Sequence, residues 1–151
     1  MQYIAQIGNL LKKIYRNYSH ELVQILQSKG YTDLRPSFLE ILIFIAENEG
    51  PSIKMIGHNC GLKKQTMTSH LNELVKRNYI VKQPGSNDRR EQKIFLTEYG
   101  QTFKFALMEA IADVEKKYKD SLGEVELHRI QNTLEGLYNK QIELDHNSTS
   151  S

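Results

Sequence analysis

The sequence predicts a mostly α-helical chain with one small β-hairpin, in the order helix, helix, short helix, helix, hairpin, helix, helix. Three observations carry this. Apolar residues recur at three- and four-residue steps in long segments toward both ends, which is the period of one helix face. Phe38 to Ala46 is apolar almost all round, as in a helix enclosed by its neighbours. Two short β-branched and aromatic runs flank a turn-rich stretch, the pattern of a hairpin.

The first helix is expected from about Tyr3 to Ser28, with Ile4, Ile7, Leu11, Ile14, Tyr18, Leu22, Ile25 and Leu26 on its apolar side and Lys29-Gly30 as its end. The second starts near Pro36-Ser37, where Ser37 and Glu40 have capping-box spacing, and breaks at Asn48-Glu49-Gly50-Pro51. Ser52 is placed to cap a short third helix that stops at Asn59-Cys60-Gly61. Leu62 to Arg77 forms the fourth, with Leu62, Met67, Leu71, Leu74 and Val75 on one face. Asn78 sits where the chain needs a residue tolerant of positive φ. The strands are Tyr79 to Gln83 and Gln92 to Thr97, around a tip whose turn chemistry comes from Gly85 and Asn87. Thr97 is placed to cap a long helix that Ser121-Leu122-Gly123 interrupts, and a last helix carries Val125, Leu127, Ile130, Leu134, Leu137, Tyr138 and Ile142. Residues 146–151 read as a disordered polar tail.

At 151 residues the chain can bury a core without disulfides or structural metal. It has no apolar run of bilayer length, no signal-peptide pattern at its start, and one cysteine, Cys60. These point to the cytoplasm, and leave Asn17-Tyr18-Ser19 and Asn147-Ser148-Thr149 without meaning as glycosylation sites. Net charge is only +2, but it is unevenly spread. Residues 51–97 hold nine basic side chains against three acidic ones, a balance of +6, and the rest hold 11 against 15, or −4. A basic middle between acidic flanks suggests that the middle meets an anion.

A tight helix pair followed by a basic hairpin is a winged helix-turn-helix arrangement. A helix fits the major groove of B-DNA, about 12 Å wide. The polar face of the fourth helix offers Lys63, Lys64, Gln65, Thr68, Ser69, Asn72 and Lys76. Gln65 suits adenine edges, Thr68 a base edge or thymine methyl, and the lysines phosphate or guanine. Arg89 and Arg90 at the hairpin tip suit a narrow minor groove, and Asp88 beside them is expected to pair with and aim an arginine.

The run Gly61-Leu62-Lys63-Lys64-Gln65-Thr66-Met67-Thr68-Ser69-His70-Leu71-Asn72-Glu73-Leu74-Val75-Lys76-Arg77-Asn78-Tyr79-Ile80, then Asp88-Arg89-Arg90, then Ile94-Phe95-Leu96-Thr97-Glu98-Tyr99-Gly100, resembles the MarR family of bacterial regulators. The order and spacing of these pieces carry the likeness, which extends over nearly the whole chain. It implies a two-fold dimer joined through a helical region, 1–30 plus 98–145, with 31–97 as the DNA-binding lobe. By the same resemblance Arg90 enters the minor groove and Asp88 positions it, and Arg35 and Ser37 touch phosphate. On their chemistry and place Lys63, Lys64, Gln65, Thr68, Ser69 and Arg89 join the DNA-contacting set, while Thr66 is open between a structural role and a phosphate contact and His70 between a DNA contact and a helix-face residue. Asn78 stands where the family usually has glycine, and Ser69 where many members have arginine. The family's redox sensors usually carry their reactive cysteine in the first helix, and this chain has none there.

The resemblance also implies a small-molecule effector that lowers DNA affinity, with Tyr15, Tyr18, Phe38, Phe44 and Phe103 as candidate pocket residues; the competing reading of such aromatics is core. Dimerisation has a further argument. Ile4, Ile7, Leu11 and Ile14 need cover, as do Ile130, Leu134, Leu137 and Tyr138. A second copy would supply it and set two reading helices about 34 Å apart, although the two stripes could instead cover each other. Asn72, Lys76 and Arg77 are open between duplex contact and a solvated face. Cys60 reads as a small apolar residue before a redox switch. The five histidines lack metal-ligand spacing, and no phosphate loop or nucleophile elbow appears, so neither cofactor nor catalysis is expected. The alternative to a dimeric regulator, expected to be a repressor, is a winged-helix module that binds an acidic protein.

Overall fold

The structure is a computed structural model that describes residues 2–143. The tail expected at 146–151 lies outside them. The elements are α1 (Tyr3–Ser28), α2 (Pro36–Glu47), α3 (Ile53–Cys60), α4 (Lys64–Lys76), β1 (Ile80–Pro84), β2 (Gln92–Leu96), α5 (Glu98–Leu122) and α6 (Glu124–Leu137), followed by a π-helical turn over Tyr138–Glu143. This is the expected mostly helical chain with one antiparallel hairpin. Packing divides it into two units, one ending at Ile111 and the other beginning at Ala112.

In the first unit α2 forms the centre. Its apolar sequence is consistent with burial on several sides, and Phe38, Leu39, Ile41, Leu42 and Ile45 are all buried. Leu22 and Leu26 of α1, Ile56 of α3, Met67, Leu71 and Leu74 of α4, and Phe103 and Leu107 of α5 are buried as well. Val75, expected on the inner face of α4, is 40% exposed.

Local chemistry sets the boundaries. Ser52 Oγ accepts the Met55 N–H at 3.1 Å and so caps α3. Thr97 Oγ1 accepts the Gly100 N–H at 2.9 Å, which caps α5. The same hydroxyl donates to the Asn78 carbonyl at 2.5 Å, while the Thr97 N–H donates to the Tyr79 carbonyl at 3.1 Å. One threonine therefore closes the hairpin base and starts the next helix. Asn78 takes φ 70° after α4, as its position required.

The capping box at Ser37 and Glu40 does not form. Arg35 is the N-cap residue and Pro36 takes the first helical turn, so Ser37 already lies inside α2 with no side-chain cap bond. In the second unit Gly123, at φ 86°, separates α5 from α6, and no α6 residue is fully buried.

Candidate nucleic-acid interface

Register in the hairpin pairs Ile80 with Leu96 and Pro84 with Gln92. The hairpin root is not free-standing. The Ile94 N–H donates to the Pro51 carbonyl at 2.9 Å, and Ser52 bridges to Lys93. The residues that lead into α3 therefore lie along β2 like a short third strand, and this fixes the hairpin against the α3–α4 pair. Lys82 Nζ donates to Asn72 Oδ1 at 2.7 Å, a second tie between hairpin and α4.

Burial sorts the α4 side chains. Met67, Leu71 and Leu74 are buried, whereas Lys63, Lys64, Gln65, Thr66, Thr68 and Ser69 are exposed. The helix begins at Lys64, two residues later than the sequence suggests, so Lys63 is its N-cap residue. Lys64, Gln65 and Thr66 thus occupy the first turn, where backbone N–H groups lack helical partners and favour negative charge. Thr68 Oγ1 donates to the Lys64 carbonyl at 2.9 Å, which leaves its methyl group and an oxygen lone pair for contact. His70 is placed differently. It is half-buried, edge-on to Phe38 at 5.2 Å, and both burial and the Arg35 charge hold its pKa below the usual histidine value. Arg77 is a structural residue: it donates to the Asp33 carbonyl, pairs with Glu73 at 3.1 Å and lies 5.0 Å from the Phe38 ring.

The hairpin tip is built on backbone bonds. The Gly85 N–H reaches the Glu91 carbonyl at 2.6 Å, and the Glu91 N–H reaches the Asp88 carbonyl at 3.1 Å. A side chain at Gly85 would press within 2.7 Å of the Asp88 carbonyl oxygen. Asp88 does not pair with a guanidinium as expected; its Oδ1 accepts the backbone N–H of Arg90 at 2.9 Å. This is an Asx-type turn, and it shapes the main chain that carries Arg90. Arg89 and Arg90 are exposed and have no carboxylate partner among the described residues. Arg35 is exposed at the start of α2 with its guanidinium 4.3 Å from the centre of the Phe38 ring, and Ser37 beside it is half-buried.

A cleft of about 120 Å³ lies between α1, α2 and the end of α3, lined by Tyr15, Tyr18, Leu39, Glu40, Phe44 and Asn59 among others. Three of the five expected aromatics are therefore there. Phe38 and Phe103 are not: both are buried core residues, Phe38 beneath Arg35 and Arg77, Phe103 against Tyr31 and Tyr79. Glu40 was missed as a cleft residue because its spacing from Ser37 suggested a cap. A better signal was its position as a lone charge in the apolar run Phe38 to Ala46.

The Tyr15 hydroxyl donates to Glu40 Oε2 at 3.5 Å. Burial lifts the Glu40 carboxyl above the usual carboxylate range, against a smaller lowering by Tyr15. A raised folded-state pKa contributes stability below the unfolded value and loses it as pH rises through the folded value. Glu40→Gln is therefore expected to raise Tm by about 1–2 °C at pH 7.5, a small effect because the group is partly solvated. At pH 3.5 the gain should vanish, as calorimetry at the two pH values would show. Burial and then Glu40 push the half-buried Cys60 thiol up, the opposite of what a reactive thiolate needs. No group of three or more His, Cys, Asp or Glu among the described residues is placed to hold a metal ion, and none of their helices is long and apolar enough to cross a membrane.

The helix pair, the anchored hairpin and the exposed basic face define a winged helix-turn-helix protein of the transcription-regulator class. A profile of the MarR family matches residues 32–91. The HTH-type transcriptional regulator SarZ of Staphylococcus aureus is 30% identical over 132 residues, covering 87% of this chain and 83% of SarZ. The chain belongs to the MarR family, a family of regulators and not of enzymes. Solved structures share the fold. A cysteine-to-serine mutant of MarR from E. coli, complexed with operator DNA, superposes with a TM-score of 0.76 at 17% identity, covering 89% of this chain and 95% of that one. CouR from Rhodococcus jostii bound to p-coumaroyl-CoA gives 0.74 at 20% identity, covering 90% and 94%.

Proposed function

We propose that this protein is a sequence-specific double-stranded DNA-binding repressor, acting in the cytoplasm as a homodimer on a pseudo-palindromic site and relieved by a small-molecule effector. The observation that carries the proposal is the exposed set Lys63, Lys64, Gln65, Thr66, Thr68 and Ser69 at the start of α4, joined through the anchored hairpin to Arg89 and Arg90, which have no carboxylate partner among the described residues. Gln65, Thr68 and Ser69 face base edges in the major groove; Lys63, Lys64, Thr66, Arg35 and Ser37 take phosphates; Arg90 enters the minor groove with Arg89 beside it, on a tip shaped by Asp88. His70, half-buried and edge-on to Phe38, joins this set through its exposed part. The bound operator in the E. coli relative supports this use of the fold, and the acyl-CoA held by CouR supports an effector.

A gel-shift titration tests the reading. Steeply salt-dependent binding, with a cognate palindrome preferred at least a thousandfold over random duplex, is expected. Equal affinity for both would favour a protein-interaction module instead. Gln65→Ala is expected to change the preferred base at one position per half-site while nonspecific affinity stays within about twofold, as selection from a random library would show.

The dimer joins 1–30 and 98–145 of two copies and leaves 31–97 as the DNA-reading lobe. Ile4, Ile7, Leu11 and Ile14 of α1 remain 37–66% exposed, a large apolar surface for water to cover. On α6 and the turn after it, Ile130 and Tyr138 are exposed, and Leu134 and Leu137 half-buried. Ile7→Asp with Leu11→Asp should release monomers in sedimentation velocity with helix content unchanged. A dimer that persisted would exclude the α1 face.

A further inference from the structure

We infer that the α1–α2 cleft selects a small organic cation: an ammonium group on an apolar body about the size of one aromatic ring, with Glu40 as its counter-charge. The regulatory consequence rests on the effector reading above; the binding itself does not.

Size limits the ligand first. The cleft holds about 120 Å³, and an engineered protein cavity of about 150 Å³ accepts benzene. A single ring fits, and a much larger body would have to protrude. Charge then decides its sign. The lining contains two carboxylates, Glu40 and Glu47, and no lysine, arginine or histidine. Neither carboxylate has an ion-pair partner among the described residues, and the one hydrogen bond to Glu40 is the long one from Tyr15. Of the basic side chains of α1, Lys13, Arg16 and His20 line a different part of that helix, and Lys12 is not in the cleft lining either.

The rest of the lining reinforces the choice. Tyr15, Tyr18 and Phe44 present aromatic rings, whose faces attract a cation, most strongly where water is partly excluded. Leu22, Leu39 and Ile43 supply the apolar floor. An anion of the same shape would meet Glu40 with no compensating positive charge. An inorganic cation would find too few oxygen ligands and too much hydrocarbon.

The test uses the full chain, titrated by calorimetry with benzyltrimethylammonium chloride, sodium benzoate or sodium chloride alone. Saturable one-site binding of benzyltrimethylammonium, at least tenfold tighter than benzoate, is expected. Glu40→Gln should weaken it at least tenfold and Glu47→Gln less, with thermal unfolding confirming that each variant folds. Benzoate binding equally well, no saturable binding of the ammonium, or full affinity in folded Glu40→Gln would each overturn the inference. If that variant does not fold, the wild-type choice between ammonium and benzoate still decides. Gel shifts on the same samples separate the two readings. Ammonium binding without any change in duplex affinity would uphold the cleft's selectivity and sink the effector role. Duplex release by benzoate and not by the ammonium would do the reverse.

Discussion

Gly100→Ala is expected to lower the unfolding free energy by about 3 kcal/mol, a fall in Tm of roughly 6–12 °C for a chain of this size. A Cβ at this position would overlap the carbonyl oxygen of Tyr79 and come within 3.1 Å of Leu96 Cβ. The Tyr79 backbone, the closer of the two, is held in place on several sides. The Tyr79 carbonyl accepts the Thr97 N–H, and the Tyr79 ring is fully buried, 5.1 Å from Tyr99 and from Phe103. Its hydroxyl donates to Asp33 Oδ1 at 2.7 Å. Alanine is the better helix former by about 1 kcal/mol, which is too little to offset the overlap. Gly57→Ala in α3 is the control, since its added methyl would meet only the Leu62 carbonyl at an ordinary 3.8 Å. Calorimetry that found both variants equally stable would show that the α5 start tolerates displacement from the hairpin base.

The second large effect concerns function. Arg90→Ala should weaken binding to a cognate duplex by about 10–100-fold at fixed salt, with Tm unchanged. The fold should not notice the change: the side chain is exposed, and the bond that shapes the tip uses the Arg90 backbone N–H, which alanine retains. The salt dependence should become shallower as one cation that displaces counterions from the duplex disappears. Unaltered affinity in a quantitative footprinting titration would remove the hairpin tip from the proposed interface.

Features set by neighbours in sequence were legible without coordinates. Ser52, Thr97 and Asn78 act within three or four residues or through their own backbone preference, so residue type and position sufficed. Most of the errors have a different origin. Glu40 was assigned to Ser37, three positions away, while the hydroxyl it meets belongs to Tyr15, 25 positions away. Arg77 could be a solvated cation or a DNA contact by pattern; its partner, the Asp33 carbonyl, is 44 residues distant. Phe38, Phe44 and Phe103 are chemically alike, and only tertiary packing separates a cleft wall from a core residue. Asp88 was paired with the right residue but the wrong part of it, because a charge beside a charge suggests an ion pair when the nearer donor is the main chain.

The pairing of Ser52 with Lys93, and of the Ile94 N–H with the Pro51 carbonyl, has a mechanical meaning for recognition. Under the proposed function it would make α4 and the hairpin root the two jaws of a caliper tied at their base. On a duplex whose two grooves are spaced otherwise, the nucleic acid would then have to twist or bend to meet them. Sequences that deform at low cost would then be favoured even at base pairs no side chain touches.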